Sequence, residues 1–114
     1  MSPFAGLLLG LAVEGPVVVG FGVLRQGRST LGSWLLLVVG ANLLTYFPFV
    51  AAAAALRPRW GETVTLAILE TVVALVEGTI YARAGRLGWW RGLTVAAIAN
   101  ALSFGAGVLV TSAA

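Results

Sequence analysis

The sequence predicts an all-α integral membrane protein built as a bundle of four transmembrane helices. The chain has 114 residues, of which 60% are hydrophobic and only 10% are charged. An average soluble domain has about 25% charged residues, and a small domain needs polar side chains because its surface is large for its volume. This composition excludes an ordinary soluble domain, a disordered chain and a nucleic-acid-binding protein.

Four apolar stretches are long enough to cross a bilayer, which takes roughly 20 residues per helix. The expected spans are residues 4–24, 33–56, 63–82 and 93–112. Glu14 interrupts the first span and the third contains Glu70 and Glu77, whereas the second and fourth lie in charge-free runs. Only helices satisfy the backbone in lipid at these lengths, since barrel strands are about 10 residues long and alternate in polarity.

The arginines predict how the bundle is oriented. Connections 25–32 and 83–92 carry five of the seven arginines, connection 57–62 carries two, and neither terminal segment carries any. By the positive-inside rule, the first and third connections lie in the cytoplasm and both termini lie outside. We expect the membrane to be the inner (plasma) membrane of a prokaryote. Short connections also make consecutive helices antiparallel neighbours.

The tryptophans mark the expected ends of the spans. They are Trp34, Trp60, Trp89 and Trp90. Because the indole ring is amphipathic, tryptophans concentrate at membrane–water interfaces. The sequence therefore predicts that all four belong to an interfacial belt.

The chain contains an internal repeat. Val-Glu-Gly occurs at 13–15 and at 76–78, and Ala-Asn-x-Leu-(Thr or Ser)-aromatic occurs at 41–46 and at 99–104. The two asparagines of the chain, Asn42 and Asn100, both fall in the second pattern. These matches predict a tandem repeat of two-helix hairpins, related by a pseudo-twofold axis along the membrane normal.

The predicted repeat divides one membrane domain, residues 1–114, into halves of about 1–56 and 57–114. A repeat of this kind brings its two glutamate helices into equivalent places, and likewise its two asparagine helices. A binding site would then lie on or near the axis, between the halves.

Helical spacing collects the polar residues on one face of each span. Glu70 and Glu77 are seven residues apart and share a face, as do Asn100, Ser103 and Thr111 on the fourth span. Polar residues within a membrane face the interior of a bundle or a water-filled cavity. We therefore expect one interior site for ions, protons or substrate. Its candidate residues are Glu14, Glu70, Glu77, Asn42, Asn100, Thr45, Ser103 and Tyr81.

Two interpretations of these residues stay open. In the structural one, hydrogen bonds from Glu14 to Asn42 and from Glu77 to Asn100 hold helices together. In the functional one, carboxylate and carboxamide oxygens bind a hard cation, or the carboxyl groups carry protons. Glu70 favours function, because Leu7 stands at the equivalent position of the first half. Glu62 differs from these acids, since it starts the third span where a carboxylate suits the helix dipole.

Several residue types that commonly bind metals or take part in catalysis are missing from the sequence. The chain has no Cys, His, Lys or Asp. It therefore has no thiolate or histidine ligand for a metal, and no lysine for a Schiff base. We predict no catalytic residue, no metal site built on such ligands and no cofactor, and we expect that the protein is not an enzyme. The expected partners are the lipid bilayer and either further copies of the chain or a larger membrane complex.

The segment Leu11-Ala12-Val13-Glu14 resembles the first helix of the small multidrug resistance transporters, which also place four spans in about this length. The resemblance implies that Glu14 exchanges protons for cationic drugs. The chain departs from that family in having Glu70 and Glu77 in its third span. Three functions thus remain: a proton- or cation-linked transporter or channel, an accessory or assembly subunit, and a small-multidrug-type exporter.

Overall fold

The structure is a computed structural model that describes residues 3–113, with the side chains of residues 5–110 and 112. Its helices are α1 (Pro3–Gln26), α2 (Leu31–Trp60), α3 (Glu62–Arg83) and α4 (Trp89–Ala113), and a 3-10 turn at Arg28–Thr30 precedes α2. All four helices are long and apolar enough to span a membrane. The prediction of an all-α chain with four helices of membrane-spanning length and composition is confirmed, and the architecture fits a membrane location.

The helices extend beyond the spans expected from hydrophobicity. α2 runs through Pro48 and Pro58 to Trp60, so most of the expected connection 57–62 is helical. Charged residues show where the apolar part of a span ends, but they do not end the helix. The helix continues until its backbone changes direction. That change occurs at Gly61, which has a φ of 81°, a left-handed conformation that glycine adopts without steric cost.

Glu62 begins α3, as the sequence predicts. Its carboxylate lies in the first turn of the helix, where it complements the positive end of the helix dipole. It also pairs with Arg57 at the end of α2, with an Nε–Oε2 distance of 3.1 Å. Both side chains are about half exposed or more, so the pair contributes about 0–1 kcal/mol.

The four helices are arranged as a square. Each helix packs against its neighbours in sequence, and α4 closes the square against α1. Over residues 3–113, the diagonal pairs α1 with α3 and α2 with α4 make no close backbone contact. The first and third connections meet at one end of the bundle, where Gln26 Nε2 donates to the Gly85 carbonyl over 2.7 Å.

The tightest core of the bundle lies at this arginine-rich end. Trp34 is 1% exposed and packs on Gly22 and Gly85, and its ring centroid is 6.1 Å from that of Tyr81. Its indole N–H donates to Gln26 Oε1 over 3.1 Å. The interfacial prediction is therefore wrong for Trp34, because two glycines leave room for the ring inside the bundle. The other tryptophans are exposed: Trp60, Trp89 and Trp90.

Two glycines bring α3 and α4 together. A Cβ atom on Gly92 would lie 2.6 Å from the Gly78 carbonyl oxygen and 2.7 Å from the Ala82 nitrogen. Both neighbours are backbone atoms, so no side chain can rotate to make room. The close packing of α3 on α4 thus requires glycine at position 92.

We predict that Gly92→Ala separates α3 from α4 and destabilises the bundle by about 1–3 kcal/mol, the usual cost of overpacking. Thermal unfolding in mild detergent measures this loss. The matched control is Gly20→Ala, because a Cβ there meets nothing within 4 Å in the described part of the chain. Equal stability of the two variants would contradict the packing described for Gly92.

Candidate functional site

A polar cavity of about 80 Å³ lies between the four helices. Seven of the eight candidate residues line it, and every helix contributes at least one. They are Glu14 from α1, Asn42 and Thr45 from α2, Glu70 and Glu77 from α3, and Asn100 and Ser103 from α4. The volume accommodates a few water molecules or one ion, and it is well below the roughly 300–1,000 Å³ of a pocket for a drug-sized ligand.

Glu77 is the most completely bonded acid in the cavity. It is 1% exposed, its Oε1 accepts from Asn100 Nδ2 over 2.8 Å, and its Oε2 accepts from Thr45 Oγ1 over 2.9 Å. The expected contact between Glu77 and Asn100 is therefore present, and Thr45 adds a bond from a third helix. One carboxyl group thus ties α3 to both α2 and α4.

The Thr45 hydroxyl gives this carboxyl two possible proton arrangements. Thr45 Oγ1 also lies 2.9 Å from the carbonyl oxygen of Ala41 on its own helix. A hydroxyl carries one proton and two acceptor lone pairs. It can donate to an ionised Glu77, or it can donate to Ala41 and accept from a protonated Glu77. The same heavy-atom geometry therefore holds Glu77 with or without its proton.

Glu14 faces Glu77 across the cavity but lacks its bonds. Glu14 is 5% exposed, and its carboxyl adjoins the Glu77 carboxyl and the Ser103 hydroxyl. Its Oε1 is buried and has no hydrogen-bond partner among the described residues. The expected bond with Asn42 does not form in this part of the chain, because Asn42 Nδ2 donates instead to the Val38 carbonyl of its own helix over 2.9 Å.

Glu70 lies two turns before Glu77 on α3 and is partly exposed. It interacts electrostatically with Glu77 and more weakly with Glu14. In the structure as described, it makes no hydrogen bond or ion pair. The three carboxyls are also spread out: among the described residues, no group of three or more acidic side chains could hold a metal ion.

Tyr81 is the candidate residue that does not line the cavity. It follows Glu77 by one turn and packs against Trp34 in the core. Its hydroxyl is buried, interacts electrostatically with Glu77 and Glu14, and has no hydrogen-bond partner in the portion of the chain described here. Sequence spacing placed Tyr81 on the correct face of α3, but it could not show that the core closes around this ring.

Sequence reasoning missed Tyr46, which lines the cavity next to Thr45. Its hydroxyl abuts Gly6, where a Cβ would collide with it. The sequence did carry a signal for this residue, because Tyr46 occupies the aromatic position of the Ala-Asn repeat pattern. Thr111, expected on the polar face of the fourth span, lies outside the described side chains.

The cavity is closed toward the arginine-rich end. There the bundle is filled by side chains that are at most 2% exposed, namely Val18, Trp34, Val38, Tyr81 and Ala96. Cavity-lining residues nearer the termini are Gly6 on α1 and Phe49 on α2. The polar space therefore extends from the Glu14–Glu77 pair toward the opposite end of the bundle.

Comparison of the chain with protein-family models, with curated proteins and with solved structures gave no match.

We predict that Glu77→Leu and Glu14→Leu differ in stability. Glu77→Leu removes the acceptor for one Asn100 N–H and for the Thr45 hydroxyl, and an unsatisfied buried donor costs about 1–3 kcal/mol. Glu14→Leu removes a carboxyl whose Oε1 has no partner among the described residues and whose neighbours are the Glu77 carboxyl and the Ser103 hydroxyl, so we expect a smaller loss. Thermal unfolding in mild detergent distinguishes the two variants, and an equal loss would show that Glu77 is not the main polar tie.

Proposed function

We propose that the protein is a proton- or cation-linked transporter or channel that acts as a homo-oligomer. The observation that carries this proposal is the unpartnered Glu14 Oε1, which faces the Glu77 carboxyl in a cavity large enough for water or an ion. Among the acids of the cavity, Glu77 makes the hydrogen bonds to donors on α2 and α4. Two further acids, Glu14 and Glu70, line the same cavity without that role, and buried acids that do not hold helices together mark ion or proton pathways in membranes.

The geometry favours the proton over a multivalent cation. Divalent cations prefer six or more oxygen ligands, whereas the three carboxyls are too dispersed to surround one ion. A proton needs only neighbouring carboxyls and a hydroxyl that can reverse its hydrogen bond. Glu14, Glu77 and Thr45 provide that set. Glu70, partly exposed and nearer the termini, would pass protons between this set and the surroundings.

We also propose that the bundle arose by duplication of a hairpin. The square places α1 diagonally opposite α3, and α2 opposite α4, as a pseudo-twofold axis requires. Glu77 bonds to Thr45 of the other hairpin, and Glu14 adjoins Ser103, which the repeat equates with Thr45. Each half would thus supply one carboxyl to the central pair.

The proposed orientation puts the arginine-rich connections in the cytoplasm and both termini outside, in the inner membrane of a prokaryote. The cavity would then lie in the outer half of the bundle. The core around Trp34 would separate the cavity from the cytoplasm. Movement of a proton or ion through a single chain would therefore require this core to open. A path between copies in an oligomer would avoid that requirement, and four helices that enclose about 80 Å³ leave little room for a larger substrate.

Two other functions compete with transport. An accessory or assembly subunit of a larger membrane complex is supported by the many large apolar side chains exposed on the bundle, which could face another subunit as well as lipid. A small-multidrug-type exporter is less well supported, because the cavity of one chain is too small for a drug-sized cation.

We predict that Glu70→Gln and Glu77→Gln each abolish ion movement while the protein still folds. The amide at position 77 can still accept from Asn100 and donate to Thr45, so the ties between helices persist. Proteoliposomes loaded with a pH-sensitive dye measure the effect. A potassium diffusion potential tests proton conduction, and additions of Na⁺, Ca²⁺ or ethidium to vesicles with a pH gradient test exchange.

The matched control is Glu62→Gln, which removes an exposed acid outside the cavity and should leave the flux unchanged. Proton movement with Na⁺, with Ca²⁺ or under the potential alone supports the proposal. A response to ethidium alone would favour the drug exporter instead. The absence of any flux from the wild-type protein would overturn the transport proposal.

We further predict that the protein extracted from its own membrane in mild detergent has the native mass of a homo-oligomer. A transporter that is complete in itself needs no other chain. Stoichiometric co-purification with larger subunits would contradict this expectation and would identify the chain as an accessory subunit. The hydrogen bonds of Glu77 would then serve assembly alone.

A further inference from the structure

A second cavity lies on the outer surface of the bundle, in the groove between α1 and α4. Its volume is about 300 Å³, and it is lined almost entirely by apolar side chains. Val17 and Phe21 form the α1 wall, and the apolar part of the α4 wall includes Val95 and Ile98. None of its lining residues belongs to the polar cavity. A groove of this composition on a membrane-facing surface suits a hydrocarbon chain.

One end of this groove carries a positive charge. Arg91, in the first turn of α4, lines the groove and is exposed. Within the described residues its guanidinium makes no ion pair or hydrogen bond. It lies where the helix dipole is positive, and the exposed Trp90 beside it has the character of an interfacial residue. The groove is therefore apolar along its length and ends at Arg91, whose charge has no counter-ion among the described residues. That end would lie at the depth of lipid head groups.

The charge around Arg91 is not balanced by nearby acids. Four other arginines lie at the same end of the bundle: Arg25, Arg28, Arg83 and Arg86. Of the four glutamates, Glu62 lies at the opposite end, and the other three line the polar cavity inside the bundle. This end thus attracts anions, and basic pockets between transmembrane helices are typical sites for anionic lipid head groups.

We propose that the α1–α4 groove binds an anionic phospholipid. One acyl chain lies between Val17, Phe21 and Ile98, and the phosphate accepts hydrogen bonds from the Arg91 guanidinium. From Arg91 to Ile98 the groove follows α4 for roughly 10 Å, at 1.5 Å per residue. It therefore leads from the interface into the hydrocarbon layer, as an acyl chain does.

A second copy of the chain fits this groove less well. It would have to neutralise or bury Arg91 against an acidic side chain. Glu62 is the one acid among the described residues that is exposed, and it lies at the other end of the bundle. Two copies inserted in the same orientation would hold Glu62 and Arg91 on opposite sides of the membrane. A lipid phosphate, in contrast, lies at the depth of Arg91.

Native mass spectrometry of the detergent-solubilised protein, incubated with equal amounts of phosphatidylglycerol and phosphatidylcholine, tests the proposal. We expect the wild-type protein to retain phosphatidylglycerol several-fold over phosphatidylcholine, and Arg91→Gln to lose that preference. Arg91→Lys keeps the charge and should keep most of the preference. Arg28→Gln removes a charge at the same end but outside the groove, and should leave the preference intact. The readout does not depend on transport.

Ile98→Trp fills the apolar part of the groove and should lower retention of both lipids. If Arg28→Gln and Arg91→Gln lowered the preference for phosphatidylglycerol equally, diffuse charge attraction would explain the binding, and the proposed site at Arg91 would be wrong. An unchanged preference in Arg91→Gln would also overturn it. A wild-type dimer that retains no lipid and dissociates with Ile98→Trp would show that a second copy occupies the groove.

Discussion

The arrangement of this bundle depends on how the carboxyl of Glu77 is satisfied. A buried carboxyl needs hydrogen-bond partners, and those of Glu77 come from neighbouring helices. Asn100 and Thr45 supply them from α4 and α2. These two bonds set the rotation of three helices about their axes. Glu14, on α1, adjoins this carboxyl and the Ser103 hydroxyl, and its Oε1 has no partner among the described residues.

The two ends of the bundle differ, because one is closely packed and the other contains the polar cavity. At the arginine-rich end, Trp34 fills the space left by Gly22 and Gly85, and Gln26 links two connections through hydrogen bonds. Toward the termini, small residues such as Gly10 border the cavity without filling it. A closely packed apolar end therefore lies beside a polar, roomier one. The apolar groove between α1 and α4 lies outside both, on the surface of the bundle.

Helical spacing indicated the polar face of each helix well, because residues three, four and seven apart share a face in any α-helix. Seven of the eight candidate residues meet at one cavity for this reason. Spacing could not show which polar atoms pair. Asn42 bonds to Val38 of its own helix, not to Glu14, since an asparagine in a helix has a carbonyl within reach four residues back. Likewise Trp34 is buried because of glycines that are distant in sequence, which no local pattern reveals.

The amino-acid sequence alone predicts four helices long and apolar enough to cross a membrane, because length and hydrophobicity decide which segments can lie in lipid. It also determined which residue types meet in the interior, because helical periodicity is local. The tertiary structure alone decided that Glu77 is fully bonded whereas Glu14 is not, that Tyr81 belongs to the core, and that a groove ends at Arg91. These outcomes depend on the distances between helices, and those distances are set by contacts between residues far apart in the chain.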